Sequence, residues 1–335
     1  MVGEKWRQFA RHRQGEAREN GGNLRHVAVA QCVLSTGLMS QPREIVRGRI
    51  YLVTRRTVMG FFLLRPCPQV KQFFLYTLAL YARRYGIKIH AFVVMFNHIH
   101  IVLTDTRGCL PNFLRDFDRV MALGIKKFYQ WRGEVWDGQQ PSCVALMTPM
   151  AVVEKLAYTM ANPVQAGLVS KAEQWPGLIV LPAALGIESW DVERPNMYFD
   201  PTNPQWPAQE RLELTMPQHY LTDEELRAKV AQELERLEQA AHERFKGAGQ
   251  PIAKPRGLRV THKQRARSAE RRGNPTFAVG KGQTEAYRQV SAGVKRFRSK
   301  YREALRRWQE GERQVRFPAH TWQMSWLHRV QVEPG

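Results

Sequence analysis

The stretch Ile87–Thr104, IKIHAFVVMFNHIHIVLT, points to the fold more directly than any other part of the chain. Ile87–Met95 is rich in β-branched and aromatic residues, and His98–Thr104 alternates cleanly, so both read as strands. Only Phe96 and Asn97 separate them. An antiparallel hairpin is therefore the economical reading, although Phe-Asn is not a strong turn pair. Upstream, residues 68–85 place apolar groups at 70, 73, 74, 78 and 81, a helical stripe that Gly86 terminates. Before that, Ile50–Thr54 is a short β-rich run followed by the basic pair Arg55 and Arg56. Downstream, residues 110–130 return to helical spacing, and a short strand is expected around Cys143–Met147. A further helix starts near Pro149 and is expected to end at Pro163. The order β-α-β-β-α-β-α predicts an α+β fold: a ferredoxin-like split βαβ antiparallel sheet with helices on one face.

This core is expected over residues 42–181. Residues 1–41 read as a basic leader without usable periodicity, and 182–220 as a connector rich in Pro and Trp. Residues 221–335 read as a mainly helical, strongly basic extension, opened by a capping box at Thr222–Glu225. The 335 residues carry 51 Lys and Arg against 30 Asp and Glu, a net charge of +21 that favours a polyanionic partner. Residues 247–316 hold 19 basic against 5 acidic residues, so most of that excess sits in the extension. No apolar run approaches the length of a membrane span, and the N-terminus does not read as a signal peptide. The cysteines Cys32, Cys67, Cys109 and Cys143 form no CxxC pair, so neither a zinc knuckle nor a redox pair is indicated.

On a strand, His98 and His100 project from one face with Ile99 turned to the other. Two imidazoles on one rigid strand are a ready pair of metal ligands, and a central strand is an expensive place for them unless something satisfies them. The blander reading is a pair of ordinary surface or core histidines. A His-x-His-x-His hydrolase strand is excluded, because Val102 stands at the third position. His90, on the preceding strand, reads as a structural histidine. The second element is Tyr158 in KLAYTMANPVQAGLV (155–169). Tyr158 and Asn162 share a helix face, with Glu154 a turn earlier. Asn162 precedes Pro163, a position biased away from the α region, so its side chain is liable to leave from the helix end. Taken alone, Tyr158 is a half-buried helix tyrosine. Beside a metal-polarised phosphate, its phenol, with an ordinary pKa of about 10, becomes a nucleophile that conserves phosphodiester energy in a covalent bond. The mixed N/O donors suit Mg²⁺ or Mn²⁺ at working concentrations, while two imidazoles intrinsically favour Zn²⁺ or Co²⁺.

FNHIHIVL (96–103), followed by Tyr158-x-x-x-Asn-Pro-Val-x-Ala-Gly-Leu-Val, resembles the HUH-type single-tyrosine transposases, most closely the REP-associated tyrosine transposases. The resemblance runs from about Pro42 to Leu181 and includes IYLVTRR and QWPG. It implies His98 and His100 as metal ligands, Asn162 as a third ligand and Tyr158 as the nucleophile. It also implies a 5′-phosphotyrosine intermediate, a free 3′-OH, hairpin-forming single-stranded DNA as partner, and a cytoplasmic, nucleoid-associated bacterial protein. A homodimer and a monomer are both compatible with it. The chain departs from the compact members in its leader and in residues 182–335, and an extended version of this kind fits a domesticated, non-mobile protein that binds DNA hairpins. Intact His98, His100, Tyr158 and Asn162 argue against that alternative. A relaxase or replication initiator shares the metal site, but no helicase-like P-loop is present.

The extension interleaves charge with aromatics. Over 284–310, Tyr287, Val290, Val294, Phe297, Tyr301, Leu305 and Trp308 form a stripe that reads as a packing face, with arginines opposite for phosphate contact. Arg265, Arg267, Arg271, Arg272, Arg296 and Arg298 are the expected DNA contacts there. Arg55, Arg56, Lys126 and Lys127 are the expected ones in the core.

Overall fold

A computed structural model describes residues 42–218, 221–253, 260–266 and 275–335. The leader, together with Arg267, Arg271 and Arg272, lies outside the described residues. The hairpin forms as its alternation requires: β2 (Ile87–Val94) pairs antiparallel with β3 (His98–Asp105), and the Met95 amide donates to the His98 carbonyl at 2.9 Å. The register shifts between Ile89 and Ala91, which puts His90 at a bulge. Strand β1 (Arg49–Arg56) runs antiparallel to β3 on one side and to β4 (Ser142–Leu146) on the other. The sheet order is β2-β3-β1-β4. Strands β1 and β2 are therefore parallel with β3 between them, which is the split βαβ arrangement. A two-residue strand, β7 (Phe277–Ala278), adds to β4 in parallel as a fifth member.

Helix α1 (Pro68–Tyr85) begins on Pro68 and closes on Gly86, whose φ of 64° is the left-handed cap glycine adopts without penalty. Its burial is continuous from Phe73 to Ala82, the signature of a helix covered on every side. One side meets the sheet through Phe74 and Phe92, with ring centroids 5.5 Å apart. Another meets α2 (Leu110–Tyr129), where Gly124 allows close approach: a Cβ there would sit 2.0 Å from the Phe73 ring. The third meets the hairpin β5 (Ser189–Glu193) and β6 (Gln209–Glu213) and its connecting loop, where Tyr76 donates to the Pro207 carbonyl at 2.6 Å.

Strand parity separates the two faces of the sheet. Phe92 pairs with Ile101 and faces α1, whereas Val93 pairs with His100 on the opposite face. Helices α1 and α2 cover the Phe92 face, so the single helix-covered face expected for the core holds for these two helices only. Helix α3 (Pro149–Gln165) covers the other face, the one that carries His98 and His100. Thr148 caps α3 by accepting from the Ala151 amide at 3.3 Å. The helix does not end at Pro163 as expected but continues to Gln165. The proline falls in the last turn, so only one ladder bond is lost before the chain leaves the helix in any case.

The connector expected over 182–220 holds the β5–β6 hairpin. Leu185, Val192, Phe199, Leu212 and Leu214 join the same core as the sheet. Two five-residue strands flanked by prolines carry too little periodicity to register in sequence, and Phe199 of their connecting loop is buried against Phe73 and Tyr76 of α1. Part of 221–335 joins that core as well. Helix α4 (Asp223–Gly247), opened by the Thr222–Glu225 capping box, contributes Leu226, Val230, Leu234 and Ala241 to that core and packs along α3. The stripe on α5 (Thr284–Gln309) buries Phe297 and Tyr301 in a second small core with Val315, Phe317 and Met324, the last from α6 (Gln323–His328). Tyr287, at the start of that stripe, is exposed. Among the described residues, no helix is long and apolar enough to cross a membrane.

Candidate active site

The pleat of β3 and the face of α3 meet over His98, His100, Tyr158 and Asn162. Asn162 is helical despite Pro163, lies one turn after Tyr158 and is buried. Its amide reaches both imidazoles, with Oδ1 3.0 Å from His98 Nε2 and Nδ2 3.0 Å from His100 Nε2. The histidine rings stand 5.0 Å apart and nearly perpendicular, and the Tyr158 ring lies edge-on to His100 at 5.4 Å. Lys155, a turn before Tyr158, holds its ammonium 5.5 Å from the centre of the tyrosine ring.

Each imidazole is also gripped from behind. His100 Nδ1 lies 2.8 Å from the hydroxyl of Thr54, its partner across the β1–β3 ladder. His98 Nδ1 donates to Asn97 Oδ1 at 2.8 Å, and the Asn97 carbonyl accepts from the Thr57 amide. Such partners fix ring orientation and raise the basicity of the opposite nitrogen. Thr54 and Asn97 carry no role in the sequence reading, because their function depends on register and on the turn that places Asn97 behind the ring.

The donor set fits a cation. Amide oxygens only accept, and with the amides in this orientation His98 stands between two of them, Asn97 Oδ1 at Nδ1 and Asn162 Oδ1 at Nε2. A neutral ring satisfies one and points a lone pair at the other, a conflict that a cation shared by Nε2 and Oδ1 removes. Two imidazole nitrogens and an amide oxygen would leave coordination positions for a phosphate. Among the described residues, no three His, Cys, Asp or Glu side chains cluster to hold a metal, so a site here depends on Asn162.

His90 is buried and structural. Its Nδ1 lies 2.6 Å from the Thr215 carbonyl and its Nε2 2.7 Å from the Thr104 hydroxyl. Glu154 accepts from the Lys281 amide at 2.7 Å, which ties the extension to the start of α3.

The expected DNA contacts divide. Arg55 is withdrawn from that role. Its ladder partner is Ile99, so it points away from the histidine face, and its Nε lies 3.0 Å from Asp118 Oδ2 on α2. It also donates to the Asp137 and Gln139 carbonyls and lies 5.4 Å over Trp136. Burial pushes the Asp118 carboxyl up to about 7, against the opposing pull of Arg55. Arg56 is exposed and pairs with His98 across the ladder, on the site face. Lys126 and Lys127 occupy the last turn of α2, where cations complement the helix dipole. Arg265 and Arg296 are exposed. Arg298 is half-buried, donates to Thr276 at 3.3 Å, and is held below the usual arginine range by burial and by Arg43 and Arg302.

No protein-family model matches the chain, and a comparison with curated proteins finds no match. Among solved structures, the chain is similar to one described as the REP-associated tyrosine transposase bound to a REP hairpin. The identity is 17%, the TM-score 0.36, and the match covers 42% of this chain and 81% of that one. A likeness so slight carries neither fold nor function, and the chemistry has to be read from the side chains themselves.

Proposed function

We propose that this chain cuts and rejoins single-stranded DNA through Tyr158, acting on hairpin-forming, REP-like sequences. The observation that carries this reading is the convergence of His98 Nε2, His100 Nε2 and the Asn162 amide beside the Tyr158 ring within one chain. A protein that only bound hairpins would need none of these four groups.

Mg²⁺ or Mn²⁺, when bound by His98, His100 and Asn162, would draw charge from the scissile phosphate and orient it. Thr54 and Asn97 hold the two imidazoles with both Nε2 atoms toward the Asn162 amide, so the three donors would need little reorganisation to hold the ion. The Tyr158 oxygen forms a bond to phosphorus as the bond from phosphorus to the 3′ oxygen breaks. The phenol proton is lost to solvent and the departing 3′ oxygen gains one, leaving a 5′-phosphotyrosine and a free 3′-OH. Attack by a 3′-OH on that linkage reverses the step and rejoins the strand. The tyrosine helix is packed on its own chain by α4 and tied by Lys281, so this reading has Tyr158 acting on the histidines of the same chain.

The test is a denaturing gel after incubation of labelled hairpin oligonucleotides with protein and Mn²⁺. A covalent adduct should form with the full chain and be lost in Tyr158→Phe. An adduct that survives that substitution, or none with any hairpin from the flanking DNA, overturns the proposal.

A further inference from the structure

Beside His98 lies an aromatic, basic surface that the strand-transfer reading leaves unused. Loop 57–65 is shaped by two successive left-handed residues, Met59 at φ 50° and Gly60 at φ 70°. Left-handed backbone is strained for a residue with a side chain, and such strain collects at functional sites. Here it is held by the Thr57 hydroxyl, which donates to the Phe61 carbonyl at 2.6 Å, and it leaves the Met59 side chain 61% exposed.

A segment of the extension lies along this loop. The Phe62 amide donates to the Gln264 carbonyl at 2.8 Å, and the Ala266 amide donates to the Gly60 carbonyl at 3.1 Å. The rings follow from this pairing. Phe61 meets Trp131 edge-on at 5.1 Å, and His262 stacks on Tyr129 at 4.3 Å. Arg265 lies 5.9 Å over Phe61, and Arg65 lies 5.8 Å over Tyr129. Every charged residue in 57–65, 129–132 and 260–266 is basic: Arg65, Arg132, Lys263 and Arg265. Burial, with Lys263 and Arg65 nearby, lowers the His262 pKa, which favours the neutral imidazole stacked on Tyr129.

Hydrogen bonds through Thr57 and Asn97 join this surface to the candidate site. Thr57 donates to the Asn97 carbonyl, and Asn97 Oδ1 accepts from His98 Nδ1. We propose that Met59, Phe61, Trp131, Arg65, Lys263 and Arg265 form a stacking subsite for unpaired nucleotides of single-stranded DNA, next to the scissile phosphate. The half-buried Trp131 supplies a ring on which a base can stack, flanking cations track the backbone, and Met59 is an apolar wedge able to enter a base step. The placement of the scissile phosphate rests on the strand-transfer reading. The binding of unpaired DNA does not.

The test is fluorescence anisotropy of a labelled oligothymidine, which forms no hairpin, with the full chain and no added metal. Trp131→Ala should weaken binding by roughly 5- to 100-fold, the loss expected for one stacked base, with partial rescue by Trp131→Phe. Arg265→Ala should reduce the salt slope of log affinity by about one. Met59→Gly guards against misfolding, because it relieves the left-handed strain while removing the wedge. It should leave thermal stability equal or higher and still weaken binding. Unchanged affinity in both Met59→Gly and a folded Trp131→Ala overturns the subsite, even if hairpin adducts still form. Absence of any Tyr158 adduct, with binding lost in these variants, overturns the strand-transfer reading and leaves the subsite standing.

Discussion

Asn162→Ala probes the candidate centre without depending on catalysis. The side chain is 7% exposed and makes two 3.0 Å contacts to imidazole nitrogens. The Nδ2 hydrogen bond to His100 contributes about 0.5–1.5 kcal/mol, while the Oδ1 contact to His98 sets an acceptor against a lone pair and adds none. Alanine is the better helix former by roughly 0.5 kcal/mol, which offsets part of this. The net loss of about 0–1 kcal/mol corresponds to a drop of no more than about 4 °C in the metal-free midpoint. The second effect is on ion binding. At a Mn²⁺ concentration about 100 times its Kd, the intact chain gains about 2.7 kcal/mol. If losing a ligand weakens binding at least as much as losing an outer partner, about 10- to 100-fold, the same Mn²⁺ gives the variant only about 0.4–1.4 kcal/mol. Thermal melts with and without Mn²⁺ read both effects, and His100→Ala should behave alike. An undiminished Mn²⁺ gain in both variants would refute the three-ligand arrangement.

Three further outcomes follow from the contacts. Thr54→Val removes the hydroxyl behind His100 Nδ1 and should weaken Mn²⁺ binding about 10- to 100-fold while changing little else, measured by titration calorimetry. Arg55→Ala should cost about 3–5 kcal/mol in urea unfolding at pH 8, because it strands the buried Asp118 carboxylate. The folded-state pKa of Asp118 is raised, so its proton stabilises the fold at low pH and that contribution is lost as pH rises through about 7. The cost of Arg55→Ala should therefore shrink at pH 5, where Asp118 is neutral, and an equal cost at both pH values would contradict the assignment. Gly124→Ala drives a methyl into the Phe73 ring and should destabilise the α1–α2 contact by about 1–3 kcal/mol in the same assay.

Local order is what a sequence encodes most directly, and the elements of this chain behave accordingly. The alternation over Ile87–Thr104, the stripe over 68–85 with its terminal Gly86, and the capping box at Thr222 depend on periods of two or 3.6 residues and on backbone caps, which need no tertiary knowledge. The common face of His98 and His100 follows from strand parity, and that of Tyr158 and Asn162 from helical spacing. Partners distant in sequence were not legible. Thr54 faces His100 only because β1 pairs with β3 in one register, and the same register turns Arg55 toward Asp118 and away from DNA. The continuation of α3 through Pro163, and with it the inward reach of Asn162, is supported by the packing of α3 between the sheet and α4, which outweighs a single lost backbone bond. The hairpin hidden in 182–220 and the return of 260–266 to loop 57–65 are contacts across long sequence separations, and only the folded chain brings them together. The sequence by itself determined which side chains are chemically able to form a site; the pairing of strands and the packing of α3 decided which of them meet.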